Sequence, residues 1–309
     1  MSAGTFITAF DGRPLYVRHW EAGETAPVIQ LAHGLGETAD YYEEFAQAAV
    51  RRGFDVYANE ARGHGRTAGD AASPDYRGGD AGEDGLNRMA DDLFALTRRI
   101  RMERPHAPVF LLGHSMGAVI AQLYVRAHGE TLAGLALSGT PYVPLVDELL
   151  QTAEDEIAEA GPGAPSVRTF ARMFAGVNDA FAPAPTGLEW ITGDEAKIRE
   201  FLALPYTNIA FNNAFYRDFL RAVRDTQDSG FWNGVPRALP MLLLAGGRDA
   251  VGDNGEASHR MCARLRADGF AVSCKVYAGL RHSILQETGR VQVTADLLDW
   301  FASIVEKRG

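Results

Sequence analysis

Two cysteines in 309 residues, Cys262 and Cys274, are too few for a disulfide framework, and their spacing fits neither a Cys-x-x-Cys redox pair nor a zinc site. Both are expected to be buried, reduced and structural. No run approaches 18 consecutive apolar residues, which excludes a membrane-spanning helix. The first residues, Met1 to Phe6, have neither a basic stretch nor an apolar one, so no signal peptide is expected and the cytoplasm is the expected residence. No Lys/Arg-rich block occurs and the formal net charge is −10, a balance that disfavours nucleic acid as a partner. No internal repeat is evident. What remains is 46% hydrophobic residues and 23% charged ones, an ordinary globular mixture with ample material for a core.

Short apolar runs alternate with helix-compatible segments. Thr5 to Phe10 and Leu15 to Trp20 flank Asp11-Gly12, a hairpin signal. Val28 to Ala32, Phe54 to Ala58, Val109 to Leu112 and Gly134 to Ser138 read as strands. Helices are expected over 41–52, 86–102 and 118–126. The rhythm resumes with strands at Met241 to Ala245 and Ala271 to Tyr277 and helices over 255–268 and 291–306. This alternation predicts an α/β class with a mostly parallel, doubly wound sheet. Between the sixth and seventh strands the pattern changes: prolines and acidic residues accumulate, and apolar residues recur at helical spacing. Phe170, Met173, Phe174 and Val177 form one such stripe, Phe211, Phe215 and Phe219 another. A core of 1–140 and 237–309 with a helical insertion over 141–236 is the expected division.

The chain is organised around Gly113-His114-Ser115-Met116-Gly117, set between a strand and a helix. Glycine-flanked turns of this kind thrust a serine hydroxyl out of the sheet edge, which makes Ser115 the candidate nucleophile. A serine needs a base and a group that orients the base. Asp249, in Gly246-Gly247-Arg248-Asp249, and His282, in Gly279-Leu280-Arg281-His282, follow the last two strands, and the order Ser, Asp, His suits a sheet of this type. Asp253 is a competing acid. His33, His64 and His114 read as residues that shape loops or support the site from behind, and His259 as a solvated or packing residue of a helix. A tetrahedral intermediate also needs two N–H donors. The residue after the nucleophile, Met116, offers one, and the loop His33-Gly34-Leu35-Gly36 offers another at Leu35.

His33-Gly34-Leu35-Gly36-Glu37, Arg62-Gly63-His64-Gly65, Gly113 to Gly117, Gly247-Arg248-Asp249 and His282 together resemble the α/β-hydrolase superfamily. Within it the chain is similar to the monoacylglycerol lipase and lysophospholipase group, the serine aminopeptidase-like hydrolases. The resemblance implies an ester hydrolase that forms an acyl-enzyme on Ser115, with Asp249 orienting His282, no metal and no cofactor. It also implies that the insertion caps an acyl pocket, with Phe174, Phe211 and Phe215 as expected lining residues. The implied substrate is a small, lipid-like single-chain ester such as a monoacylglycerol or lysophospholipid. Small soluble esters, lactones or amides, and non-catalytic ligand binding on the same fold, are the alternatives carried forward. An aspartyl nucleophile, as for epoxide hydrolysis, is disfavoured by the serine at the turn. An exposed apolar cap leaves two occupants open, a second copy forming a homodimer or a lipid surface. Relatives often carry Asp where Asn59-Glu60-Ala61 stands here; no catalytic role is assigned to that stretch.

Overall fold

The computed structural model describes residues 3–308; Met1 and Ser2, part of the leader reading above, and Gly309 lie outside it. Eight strands form one sheet: β1 (Ala3–Thr8), β2 (Pro14–Trp20), β3 (Val28–Ala32), β4 (Asp55–Asn59), β5 (Val109–His114), β6 (Gly134–Ser138), β7 (Met241–Gly246) and β8 (Val272–Tyr277). Their order is β1-β2-β4-β3-β5-β6-β7-β8, parallel from β4 onward and antiparallel at the β1-β2 hairpin and the β2-β4 pair. The helices are α1 (Glu43–Arg51), α2 (Gly85–Glu103), α3 (Met116–His128), α4 (Val146–Ala160), α5 (Arg168–Met173), α6 (Glu195–Ala203), α7 (Asn213–Gln227), α8 (Glu256–Ala267) and α9 (Arg290–Glu306).

The central strands are apolar throughout because both faces are covered, and successive residues serve opposite cores. Val109 and Leu111 of β5 pack with α2 and α3, while Phe110 and Leu112 pack with α1 and α9. β6 and β7 divide in the same way, Leu135, Leu137, Met241 and Leu243 against Ala136, Leu242 and Leu244. β8 is only partly buried, as befits an edge. The hairpin forms at Asp11-Gly12 as expected, but β1 closes two residues earlier than the apolar run suggests. Ala9 N–H bonds to Arg13 C=O at 2.8 Å, Gly12 takes φ +84°, and Phe10 is left exposed on the turn.

Four α-helices, α4 to α7, lie between β6 and β7. The Phe170 to Val177 stripe is not one helix: α5 stops at Met173 and Gly176 turns the chain with φ +76°. The second stripe starts outside its helix. Asn212 caps α7 by accepting the Phe215 N–H at 2.8 Å, which leaves Phe211 ahead of the first turn. α7 buries Phe215, Tyr216, Phe219, Leu220 and Val223 in the same core as α2 and α3.

Candidate active site

Parallel strands deliver their connections to one sheet edge, so residues far apart in sequence meet beyond the carboxyl ends of β3, β5, β7 and β8. Ser115 follows β5 directly, with φ +54° and ψ −118°, a conformation that costs a non-glycine residue roughly 1–3 kcal/mol. Its N–H is tied to Ser138 C=O of β6 at 2.9 Å. The flanking glycines are steric requirements. A Cβ on Gly113 would collide with the carbonyl of Gly117, and one on Gly117 with the carbonyl of Ala32.

His282 Nε2 lies 2.9 Å from Ser115 Oγ, and His282 Nδ1 lies 2.9 Å from Asp249 Oδ1. An ionised carboxylate only accepts, so Nδ1 carries the proton and Nε2 is left to accept from the serine hydroxyl. Asp249 is fully buried. Burial alone would raise its pKa, but the adjacent imidazole and the backbone N–H groups of the 249–252 turn outweigh it and hold the carboxyl below its ordinary range. Val251 N–H donates to the same Oδ1 at 3.0 Å. His282 N–H bonds to Trp190 C=O at 3.3 Å, Ser283 N–H to Ile191 C=O at 2.8 Å, and the Trp190 ring lies 5.0 Å from the imidazole. The segment between α5 and α6 therefore braces the histidine.

Asp253 does not enter this arrangement: it is exposed and paired with Arg260 at 2.7 Å. His259 lies away from the site, its Nδ1 3.8 Å from Cys274 Sγ. Both thiols are free; Cys262 is buried as expected, while Cys274 is half-buried. His114 is buried beside His282, with ring centroids 5.0 Å apart, and hydrogen-bonds Ser283 Oγ at 3.0 Å. Burial pushes its pKa down to about 4, so it adds no positive charge next to His282 at neutral pH. His33 links two loops, its Nδ1 to Gly34 C=O at 2.9 Å and its Nε2 accepting from Ala61 N–H at 3.0 Å. Burial pushes His64 down to about 3, and its ring packs 4.8 Å from that of Phe211.

Leu35 follows β3 and lines the same cavity as Ser115, while Met116 opens α3, where the first N–H groups have no partner within the helix. Among the described residues neither N–H has an acceptor. The cavity holds about 280 Å³ and is walled by Ser115, His282, Val143, Leu149, Met173, Phe174 and Val177 among others. Phe174 lines this cavity. Phe211 and Phe215 do not line it; they are buried between α7, His64 and the core, and Phe219, one turn further, reaches the cavity instead. Trp190, Val251 and Glu37 were not singled out by sequence reasoning. Trp190 stands outside any periodic stripe, and Glu37 was visible only as the end of the His33 to Glu37 motif.

The sequence model of the family described as serine aminopeptidase, S33 matches residues 23–289, a span that includes all three hydrogen-bonded residues and the intervening helices. The chain is 31% identical to the monoglyceride lipase of Rattus norvegicus over 129 residues, a match that takes in 41% of this chain and 39% of that enzyme. It is 28% identical to epoxide hydrolase A of Mycobacterium tuberculosis over 280 residues, covering 78% of this chain and 81% of that protein. Among solved structures, a highly thermostable carboxyl esterase from Bacillus coagulans, crystallised with glycerol, superposes with a TM-score of 0.90 at 26% identity over 98% of this chain and 99% of its own. The chain belongs to the serine aminopeptidase S33 family of α/β-hydrolases.

Proposed function

We propose that the protein hydrolyses carboxylic esters through an acyl-enzyme on Ser115, and that its substrates are single-chain lipid esters of the monoacylglycerol or lysophospholipid type. The observation that carries the reading is the unbroken Ser115–His282–Asp249 hydrogen-bond chain opening into an apolar cavity. His282 Nε2 takes the hydroxyl proton as Ser115 Oγ attacks the ester carbonyl carbon, and the oxygen that becomes negative is received by the Leu35 and Met116 N–H groups. His282 then gives the proton to the leaving alcohol oxygen as the ester C–O bond breaks. Water, deprotonated by the same imidazole, releases the acyl group as a carboxylic acid. Asp249 stays ionised throughout and stabilises the imidazolium.

The segment 141–236 serves in this reading as a cap that supplies the apolar walls Met173, Phe174 and Val177. The monoglyceride lipase and carboxyl esterase likenesses support ester chemistry. The epoxide hydrolase likeness does not redirect it, because the turn carries serine where an aspartyl nucleophile would be needed.

A series of p-nitrophenyl esters from acetyl to palmitoyl, with wild type beside Ser115→Ala, tests the substrate class. Each buried methylene contributes about 0.8 kcal/mol, roughly fourfold in kcat/KM, until the cavity is filled. The expected profile climbs to medium or long chains and vanishes in Ser115→Ala. A profile flat or falling beyond acetyl removes the lipid assignment in favour of small soluble esters.

A further inference from the structure

The loop after β3 is held by a buried carboxylate. Gly34 to Glu37 is a tight turn closed by Glu37 N–H to Gly34 C=O at 3.2 Å, with Gly36 at φ +69°. The side chain of Glu37 closes the same turn a second time. Its Oε2 accepts the Gly34 N–H at 2.7 Å and, from the other side, the buried Tyr42 hydroxyl at 2.6 Å. Glu37 is itself 4% exposed and lines the cavity beside Ser115. A Cβ on residue 34 would sit 2.9 Å from Glu37 Oε2 and 3.2 Å from the His114 ring, so a larger residue would push the carboxylate away from this position.

The consequence falls on Leu35. The Gly34–Leu35 peptide is trans, so its C=O and N–H point in opposite directions. The C=O accepts from His33 Nδ1 and from Glu37 N–H. With that end tied down, the Leu35 N–H is turned the other way, and no acceptor among the described residues claims it. The preceding peptide is pinned through its own N–H by the Glu37 carboxylate, so both peptides flanking Gly34 are fixed.

We propose that Glu37 is a positioning residue, whose carboxylate locks the Gly34 turn and so keeps the Leu35 N–H aimed at the oxygen that becomes negative during ester cleavage. The proposal rests on the acyl-enzyme reading above and adds to it the group that sets one of its donors. Electrostatic stabilisation by such donors works because they are fixed before the reaction, and removing one outright costs about 10²–10³ in kcat. A donor left in place but free to swing costs less. Glu37→Ala is expected to lower kcat about 10- to 100-fold with KM within about threefold of wild type. Glu37→Gln, which keeps an oxygen acceptor for the Gly34 N–H, is expected to recover most of the loss.

The test follows two readouts in wild type, Glu37→Ala, Glu37→Gln and Tyr42→Phe: steady-state hydrolysis of a p-nitrophenyl ester, and the rate at which diethyl p-nitrophenyl phosphate labels Ser115. The phosphoryl oxygen occupies the same donor pair, so labelling reports the donors without depending on the natural substrate. The expected result is a parallel fall in kcat and labelling rate for Glu37→Ala and rescue of both by glutamine. If Glu37→Ala does not fold, Tyr42→Phe, which frees the same oxygen, is expected to lower both rates about three- to tenfold at constant KM. Overturning results are wild-type kcat and labelling in Glu37→Ala, a loss carried by KM, or a folded Tyr42→Phe with unchanged rates where the alanine variant is lost. A wild type that is neither labelled nor active fails at Ser115, and removes the acyl-enzyme reading together with the role of Glu37.

Discussion

Replacing Asp249 by asparagine keeps the shape of the side chain and removes its charge. In the proposed reaction the transition state pairs a His282 imidazolium with a hydrogen-bonded carboxylate from which water is excluded. With the two charge centres roughly 4 Å apart and an effective dielectric near 20, their attraction is about 4 kcal/mol. Losing it corresponds to a drop of about 10³ in kcat. An amide NH₂ facing Nδ1 would further favour the tautomer with the proton on Nε2, which cannot accept from Ser115, so 10³ is the smaller of the expected losses. Initial rates on a p-nitrophenyl ester at saturating concentration give kcat directly, and the melting temperature of each variant shows whether the fold survives. Asp253→Asn is the matched control, because that carboxylate faces Arg260 and solvent. If Asp249→Asn keeps more than a tenth of wild-type kcat, or if Asp253→Asn is the variant that collapses, the assignment of the orienting acid is wrong.

Arg62 is buried and bonded twice to buried Asp92, both contacts at 2.7 Å, with partly exposed Asp11 as its other partner. Asp92→Ala leaves Arg62 with Asp11 alone and is expected to destabilise the fold by about 1.5–3 kcal/mol in urea unfolding, a loss under about 0.5 kcal/mol arguing against it. Burial raises Glu60 from its ordinary 4.5 to about 7, against the pull of Arg66 2.8 Å away. Folded Glu60 thus holds its proton where the unfolded chain has released it, so stability falls as pH rises from about 4.5 to 7. Glu60→Gln cannot titrate, and its stability relative to wild type is expected to improve by about 3 kcal/mol between pH 5 and pH 8; parallel pH profiles would contradict this. Phe215→Ala is expected to cost about 3–5 kcal/mol of stability while leaving chain-length preference intact, whereas Phe174→Ala shifts the preference with little loss of stability. The reverse pattern would return Phe215 to the pocket.

Much of the architecture is legible in the pattern of apolar residues. A strand covered on both faces has to be apolar throughout, so Val109 to Leu112, Gly134 to Ser138 and Met241 to Ala245 stand out, and each connection at their carboxyl ends is a candidate for chemistry. That reasoning led to Ser115, Asp249 and His282, which the fold brings within hydrogen-bond distance. The insertion was harder for a physical reason. Helical spacing tells which face is buried and not what it is buried against, so Phe215 and Phe219, one turn apart, could not be told apart as core and cavity wall. Phe211 joined the stripe by spacing alone, although the Asn212 cap places it outside the helix. Trp190 carries no periodic signal; its place beside His282 depends on two backbone hydrogen bonds between segments some 90 residues apart. Glu37 was in view as part of a motif, but the role proposed for it depends on the Gly34 N–H donating to its carboxylate, a contact that no sequence spacing signals.

Acylation of Ser115 can be observed by mass spectrometry of the quenched protein and of its peptides. The protein would be mixed with excess p-nitrophenyl acetate, quenched in acid within the first turnover, digested and searched for the acyl group. One acetyl per chain is expected, on the peptide containing Ser115, absent from Ser115→Ala and lost from wild type as turnover completes. Ester cleavage by wild type with no acyl adduct at any quench time, or with the adduct on another residue, would contradict it.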